Sequence, residues 1–298
     1  MVRVPGPWTH RSVSANGIRL HVVEAGEGPL VVLLHGFPEF WWSWRHQLRA
    51  LSAAGYRAVA VDLRGYGESD KPPRGYDLWT LAGDVDGLIR ALGEPRAHVV
   101  GHGWGGAIAW TLAALHPRRV HTLTAIGVAH PLAFRAALAR HPLRQGRASG
   151  YLAGFQLPRR PEASLRRDDG ARVERIMRAW SGAEWPGTAD FAEAAARNRE
   201  AIRISTVAHC SLEYYRWAAR SQVRAEGRRF AAALARPAEM PVLQVHGAAD
   251  PCVLEATARG SRRWVTGPFA HRSLPTGHFV HQERPDEVTD AILGHIHS

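Results

Sequence analysis

Residues 97–115 combine a strand, a glycine turn and a helix in the arrangement that presents a nucleophile in many hydrolytic enzymes. An apolar β-branched run ends in Gly-His-Gly-Trp-Gly-Gly at 101–106, and the apolar residues after it predict a helix that runs toward residue 115. Glycines at 101 and 105 allow strand and helix to approach closely. The apex of the turn is Gly103, which has no side chain. The sequence therefore predicts a nucleophile elbow that lacks its reactive atom.

Two residues further along the chain have the types needed for an acid–base pair. Asp250 follows the apolar run at 241–247, and His278 lies in Thr-Gly-His-Phe at 276–279, ahead of a final helix. A carboxylate that accepts from one imidazole nitrogen fixes the tautomer and leaves the other nitrogen as a base. The order of turn, acid and histidine is that of a catalytic triad. Each residue has an alternative: a histidine among 17 can be structural, and Asp250 can cap a turn.

Three segments together resemble the α/β-hydrolase-fold epoxide hydrolases. They are the turn at 101–106, His-Gly-Phe-Pro-Glu-Phe-Trp-Trp-Ser-Trp-Arg at 35–45 and Asp-Leu-Arg-Gly-Tyr-Gly-Glu-Ser-Asp at 62–70, and the similarity extends over almost the whole chain. In that family an aspartate at the apex attacks an epoxide carbon, and a histidine-activated water then hydrolyses the resulting ester. The resemblance implies that fold and places Gly103 at the nucleophile position.

The resemblance also implies roles for four further residues. The backbone amides of Phe37 and Trp104 would form an oxyanion hole, although the turn around Phe37 could be only a tight turn. Tyr151 and Tyr215 resemble the two cap tyrosines of the family, which would hydrogen bond the epoxide oxygen and donate a proton to it. Tyr214 is the alternative to Tyr215, and either tyrosine could serve packing alone.

Gly103 leaves three interpretations open. Loss of the nucleophile from a comparable triad lowers the rate by a factor on the order of 10⁶, and the remaining site still accelerates the reaction by about 10³–10⁴ over the rate in water. In the first interpretation, which we favour, His278 and Asp250 activate a water that opens the epoxide directly. In the second, the protein binds an apolar or epoxide-like molecule without turnover, or uses its histidine for another reaction. In the third, Gly103 replaces the nucleophile of an ordinary epoxide hydrolase.

The elements that must position these residues alternate between buried strands and helices, which is typical of a doubly wound, mostly parallel sheet. The pattern predicts a hairpin at 11–26, strands at 29–35, 57–63 and 120–127, helices at 44–54 and 80–92, a short last strand at 272–274 and a closing helix at 284–297. Residues 131–236 read as helical throughout. We therefore expect an α/β core at 1–130 and 237–298 with an inserted helical cap at 131–236.

Composition narrows the choice of partners. The formal net charge is +11, yet Lys71 is the only lysine, and residues 131–236 carry 20 arginines against 10 acidic residues. No nucleic-acid-binding module accompanies this charge, so we do not expect a nucleic acid as partner. The resemblance implies a small apolar or epoxide-like ligand, and a basic lid that favours acidic substrates is the alternative. Four tryptophans near the predicted site are either core residues or walls of an apolar pocket: Trp41, Trp42, Trp44 and Trp104.

Several classes of protein are not expected. The two cysteines, Cys210 and Cys252, lack metal-like spacing and do not suggest a disulfide framework, a metal or another cofactor. The chain shows neither a secretory signal nor an apolar run near the ~20 residues of a membrane span. We therefore expect a soluble, cytoplasmic protein with no membrane partner.

Overall fold

The apolar runs form one eight-stranded sheet in the computed structural model, which describes residues 2–297. In chain order the strands are β1 (Thr9–Ala15), β2 (Ile18–Ala25), β3 (Leu30–Leu34), β4 (Arg57–Val61), β5 (Ala97–His102), β6 (Val120–Ile126), β7 (Val242–Gly247) and β8 (Phe269–Leu274). Their order in the sheet is β1-β2-β4-β3-β5-β6-β7-β8. The β1–β2 and β2–β4 pairs are antiparallel and the others parallel. The predicted mostly parallel sheet is confirmed.

Helices cover both faces of this sheet. The α-helices among residues 2–297 are α1 (Arg45–Ala53), α2 (Leu78–Ala91), α3 (Trp104–Leu115), α4 (Pro131–Arg140), α5 (Tyr151–Phe155), α6 (Arg160–Arg166), α7 (Ala171–Trp180), α8 (Ala189–Arg203), α9 (Val207–Ser221), α10 (Ala225–Leu234), α11 (Glu255–Arg259), α12 (Val280–Glu283) and α13 (Pro285–Ile296). Buried residues of α2 and α3 pack in one apolar cluster, and those of α1 and α13 pack in a second. This layering brings the ends of β3, β5 and β7 together with the loop after β8.

The chain between β6 and β7 forms helices α4 to α10, which we call the helical segment (131–236). Among its buried residues, Phe155, Leu165, Val173 and Met177 belong to the same apolar cluster as α2 and α3. Ala201 of α8 belongs instead to the cluster of α1 and α13, and Asp190 of α8 pairs with Arg45 of α1 at 2.6 Å. The helical segment therefore contacts helices on both sides of the sheet.

Some element boundaries differ from the prediction for local reasons. Helix α2 begins at Leu78 rather than residue 80, because the Asp77 side chain accepts from the backbone N–H of Thr80 at 2.9 Å and caps the helix. Strand β8 begins at Phe269 rather than residue 272. It is a partly exposed edge strand, so it lacks the continuous apolar run of a central strand.

Within residues 2–297, no helix has the length and apolar character needed to cross a membrane.

Candidate active site

The turn between β5 and α3 has the backbone of a nucleophile elbow. Gly103 adopts φ 52° and ψ −117°, a conformation that side-chain-bearing residues rarely adopt. Its N–H donates to the Ile126 carbonyl at 3.1 Å, and the Gly105 N–H donates to the His35 carbonyl at 3.0 Å. A Cβ on Gly105 would overlap the backbone of Leu34. Close approach of the backbone thus requires glycine at 105.

Gly103 is different, because a side chain there would have room. A Cβ would lie 3.5 Å from the Gly36 Cα and 3.6 Å from His278 Nε2, which is ordinary van der Waals contact. The Cα–Cβ direction of Gly103 therefore points toward the imidazole of His278. The turn keeps the geometry that would aim a reactive group at that ring.

His278 and Asp250 form a buried pair. His278 Nδ1 donates to Asp250 Oδ2 at 2.8 Å, and the two residues are 6% and 5% exposed. The other carboxylate oxygen of Asp250 accepts from the backbone N–H groups of Cys252 at 2.7 Å and Val253 at 3.1 Å. These bonds hold the carboxylate in place, so Nε2 of His278 is the ring nitrogen left facing Gly103.

The two groups shift each other's pKa. Burial alone would lower the pKa of His278, but the charge of Asp250 and the hydrogen bond to it outweigh burial and raise that pKa. Burial alone would raise the pKa of Asp250, but the charge of His278 and the same hydrogen bond lower it. The pair therefore favours the ionised carboxylate and strengthens His278 as a base.

Tyr151 and Tyr215 approach the same cavity from different helices. Tyr151 begins α5 and Tyr215 lies on α9, and their ring centroids are 6.2 Å apart. Burial raises the pKa of both phenols, so each keeps its hydroxyl hydrogen at neutral pH. The neighbouring Tyr214 donates its hydroxyl to the Arg64 carbonyl at 2.7 Å, is fully buried and does not line the cavity. Of the two residues weighed, Tyr215 is thus the one that faces the cavity.

These residues line one cavity of about 600 Å³. It extends from Gly103 and His278 between α4, α9 and α10, and most of its walls are apolar. Its lining includes Phe37, Trp104, Ala107, Val128, Leu132, Phe134, Leu138, Tyr151, Trp180, Tyr215, Trp217, Phe230, Leu234 and Val253. A volume of this size would hold a small apolar ligand with the His278 imidazole at one end.

The backbone amides of Phe37 and Trp104 belong to cavity-lining residues. Within residues 2–297, neither amide donates a hydrogen bond to another protein group. Trp104 is the first residue of α3, whose amide has no partner inside the helix. Both amides are therefore available to a ligand.

Comparison with known proteins shows which family this fold belongs to. A family model described as alpha/beta hydrolase fold matches residues 29–285. The chain is 36% identical to the AB hydrolase superfamily protein YfhM of Bacillus subtilis, over 95% of this chain and 96% of that protein. It is 33% identical to epoxide hydrolase A of Mycobacterium tuberculosis, over 97% of each chain. The crystal structure of epoxide hydrolase A from Mycobacterium thermoresistibile superposes with a TM-score of 0.80 at 32% identity, over 98% of each chain.

The chain belongs to the α/β-hydrolase-fold epoxide hydrolase family. Membership in this family confirms the predicted fold class and the family resemblance. That Gly103 occupies the nucleophile position of this family stays a prediction.

Sequence reasoning missed a buried polar chain beneath the elbow of this epoxide hydrolase relative. Glu39 accepts from the Gly36 N–H at 2.9 Å and from His102 Nδ1 at 2.7 Å, and His102 Nε2 donates to the His278 carbonyl at 2.9 Å. These bonds join the loop after β3, the end of β5 and the loop that carries His278. The signal available in the sequence was an acidic residue inside the aromatic run at 37–44.

Trp180 is a second residue that the sequence did not single out. Its carbonyl accepts from the His278 N–H at 2.7 Å, and its ring lies 5.6 Å from the His278 ring between centroids. The spacing of Val173, Met177 and Trp180 on α7 was a usable signal, because it places all three on one helix face.

The predicted tryptophan cluster divides between core and cavity. Trp104 lines the cavity. Trp41, Trp42 and Trp44 instead pack in the core against the other face of the sheet, so the pocket-wall interpretation is wrong for these three. Their position in the first turns after β3 carries them past the sheet edge and away from the site.

Among the described residues, two buried groups each bring three potential metal ligands close together. One group is Glu39, His102 and His281, and the other is Asp250, Cys252 and His278. In each group the polar atoms already bond to one another, as in the His102–Glu39 and His278–Asp250 pairs. We assign no metal to either group.

Proposed function

We propose that this protein opens an epoxide with a water molecule that His278 and Asp250 activate. The observation that carries the proposal is the 2.8 Å His278–Asp250 bond, whose imidazole faces the Gly103 Cα in an apolar cavity. Relatives named epoxide hydrolase support an epoxide as substrate. The proposal also assigns the helical segment (131–236) as a cap over the cavity and the amides of Phe37 and Trp104 as an oxyanion hole.

The proposed reaction needs no protein nucleophile. His278 Nε2 takes a proton from water as the water oxygen forms a bond to an epoxide carbon. The carbon–oxygen bond of the ring breaks, and the leaving oxygen takes a proton from Tyr151 or Tyr215. The tyrosinate then regains its proton from the His278 imidazolium through solvent, which returns every group to its starting state and leaves a diol.

The direct test compares diol formation from styrene oxide by the wild type and by His278→Ala. We expect turnover by the wild type and its loss in the variant, because among the described residues no other histidine and no carboxylate lines the cavity. His121→Ala is the matched control, since this histidine is exposed on β6 and lies outside the cavity lining. Equal diol formation by the wild type and His278→Ala would contradict the proposal.

A second candidate function is binding of an apolar molecule without turnover. The protein would then be either a natural homologue without activity or a variant in which Gly103 has replaced the nucleophile. The room for a Cβ at Gly103 favours it, since this space would take the first carbon of the side chain with which the chemistry of the family begins. This candidate predicts saturable binding of styrene oxide with no diol.

A further inference from the structure

The surroundings of Gly103 combine two features that attract a small anion with a third, a buried polar atom that faces the same space. The first is the pair of unpartnered backbone amides at Phe37 and Trp104. The second is the N-terminus of α3, a helix of 12 residues whose dipole is positive at this end. The third is His278, which is 6% exposed and therefore 94% buried. Its Nε2 has no hydrogen-bond partner among residues 2–297. Asp250 accepts a hydrogen bond from Nδ1, the other nitrogen of that ring, so Nε2 faces this space.

The size of this space selects the anion. An aspartate at this position would attach its carboxylate through a Cβ that makes contacts of 3.5 and 3.6 Å. The nearest carbon of a free carboxylate, which is not bonded to the Gly103 Cα, has to lie at a carbon–carbon contact distance of about 3.5–4.0 Å from it. Formate, which has no methyl group, keeps its oxygens nearest to the position that such a side chain would give them. The methyl group of acetate adds a carbon that must also keep this contact distance, and pivalate adds three further methyl groups.

We propose that the space in front of Gly103 binds a free small carboxylate, with formate as the best fit, and that this anion acts as an external nucleophilic catalyst that attacks the epoxide and is released again. The inference rests on the site assigned under the proposed function, but it replaces the water of the first step with an external nucleophile.

The reaction balances without a further reagent. A formate oxygen forms a bond to an epoxide carbon, the ring carbon–oxygen bond breaks, and the leaving oxygen takes a proton from Tyr151 or Tyr215. His278 then removes a proton from water, which attacks the carbonyl carbon of the formate ester. The ester breaks to release the diol and formate, and the proton held by His278 returns through solvent to the tyrosinate. One diol oxygen therefore comes from formate.

The experiment traces an oxygen atom of formate into the diol. Wild-type protein is given styrene oxide and ¹⁸O-labelled sodium formate in ordinary water, and the diol is analysed by mass spectrometry. Sodium chloride at equal ionic strength and sodium pivalate are the controls. We expect label in the diol and a saturable rise in rate of about tenfold or more with formate, because a held nucleophile gains in effective concentration. Neither control salt should reproduce the rise.

Variants test the roles of His278 and of the space in front of Gly103. His278→Ala should accumulate the hydroxy formate ester, since the step that hydrolyses the ester needs the base. Gly103→Ala should weaken the formate effect, because its methyl group enters the space that formate needs. Gly294→Ala is the matched control, as Gly294 lies on α13 with open space around a Cβ. The labelling result uses the wild type and does not depend on any variant folding.

The outcomes separate this inference from the proposed function. Diol formation that is unaffected by formate, with no label from formate, overturns the inference and leaves the proposed function standing. Diol formation only in the presence of formate, with the label transferred, supports the inference and overturns direct attack by water. An absence of diol under both conditions overturns both.

Discussion

At the scale of single residues, Gly103 determines what the site can do. The glycine pattern at 101–106 predicts a tight turn between strand and helix, and Gly103 in that turn has φ 52°. The sequence could not predict the direction of the Gly103 Cα–Cβ vector, because that depends on how β5, the loop after β3 and the loop carrying His278 meet. The same holds for the His278–Asp250 bond, which joins residues 28 positions apart.

Gly103→Asp should raise epoxide turnover by several orders of magnitude, because restoring a nucleophile recovers part of the ~10⁶ that its loss costs. The aspartate would occupy a positive-φ position, so we expect the free energy of unfolding to fall by about 1–3 kcal/mol. Diol formation and urea unfolding measure the two effects. A folded Gly103→Asp protein with no gain in turnover would show that the rest of the site is not arranged for the chemistry of the family.

The raised pKa of His278 predicts the pH dependence of turnover. The base must be neutral, so the rate should rise with pH along a limb whose apparent pKa lies above the ordinary value of 6.5. Asp250→Asn removes the charge that raises this pKa. We therefore expect its limb to move to lower pH while its maximal rate falls. A pH–rate profile of both proteins is the measurement, and an identical limb in the two would contradict the assigned pairing.

At the scale of elements, the buried chain of Glu39, His102 and the His278 carbonyl joins the loop after β3, the end of β5 and the loop before α12. Burial alone would raise the pKa of Glu39, but the charges of His102 and His281 lower it well below its usual value. Strands β3 and β5 could be predicted because they are continuous apolar runs. This polar chain could not, since each member reads as an ordinary polar residue until the strands are placed side by side.

Glu39→Gln should lower the free energy of unfolding at neutral pH by about 1–3 kcal/mol, because it removes the buried carboxylate that accepts from the Gly36 N–H, from His102 Nδ1 and from Gln282 Nε2. Since the pKa of Glu39 is depressed, its contribution is present above the unfolded-state value near 4.5 and is lost as the pH falls through the folded-state pKa. The difference between wild type and variant in urea unfolding should therefore shrink on acidification. Glu68→Gln is the control, since Glu68 forms an exposed ion pair with Arg3 and should change stability by at most about 1 kcal/mol.

At the scale of the whole molecule, the helical segment and the sheet edge enclose a cavity of about 600 Å³ that the sequence could not outline. Its walls come from helices far apart in the chain, including Trp180 of α7 and Phe230 of α10. The arginines of the helical segment are in part paired with acids, as Arg216 is with Glu162 at 2.7 Å and Arg199 is with Glu174 at 3.1 Å. That nucleic acid is not a partner stays a prediction.

The most direct test of the central claim is a single turnover of styrene oxide with excess protein in ¹⁸O-labelled, carboxylate-free water. Direct attack by a water that His278 activates predicts one labelled oxygen in the diol of the first turnover and no change in the mass of the protein. An unlabelled first-turnover diol, or a protein mass increased by the epoxide, would show that a group of the protein attacks the substrate and would contradict the account.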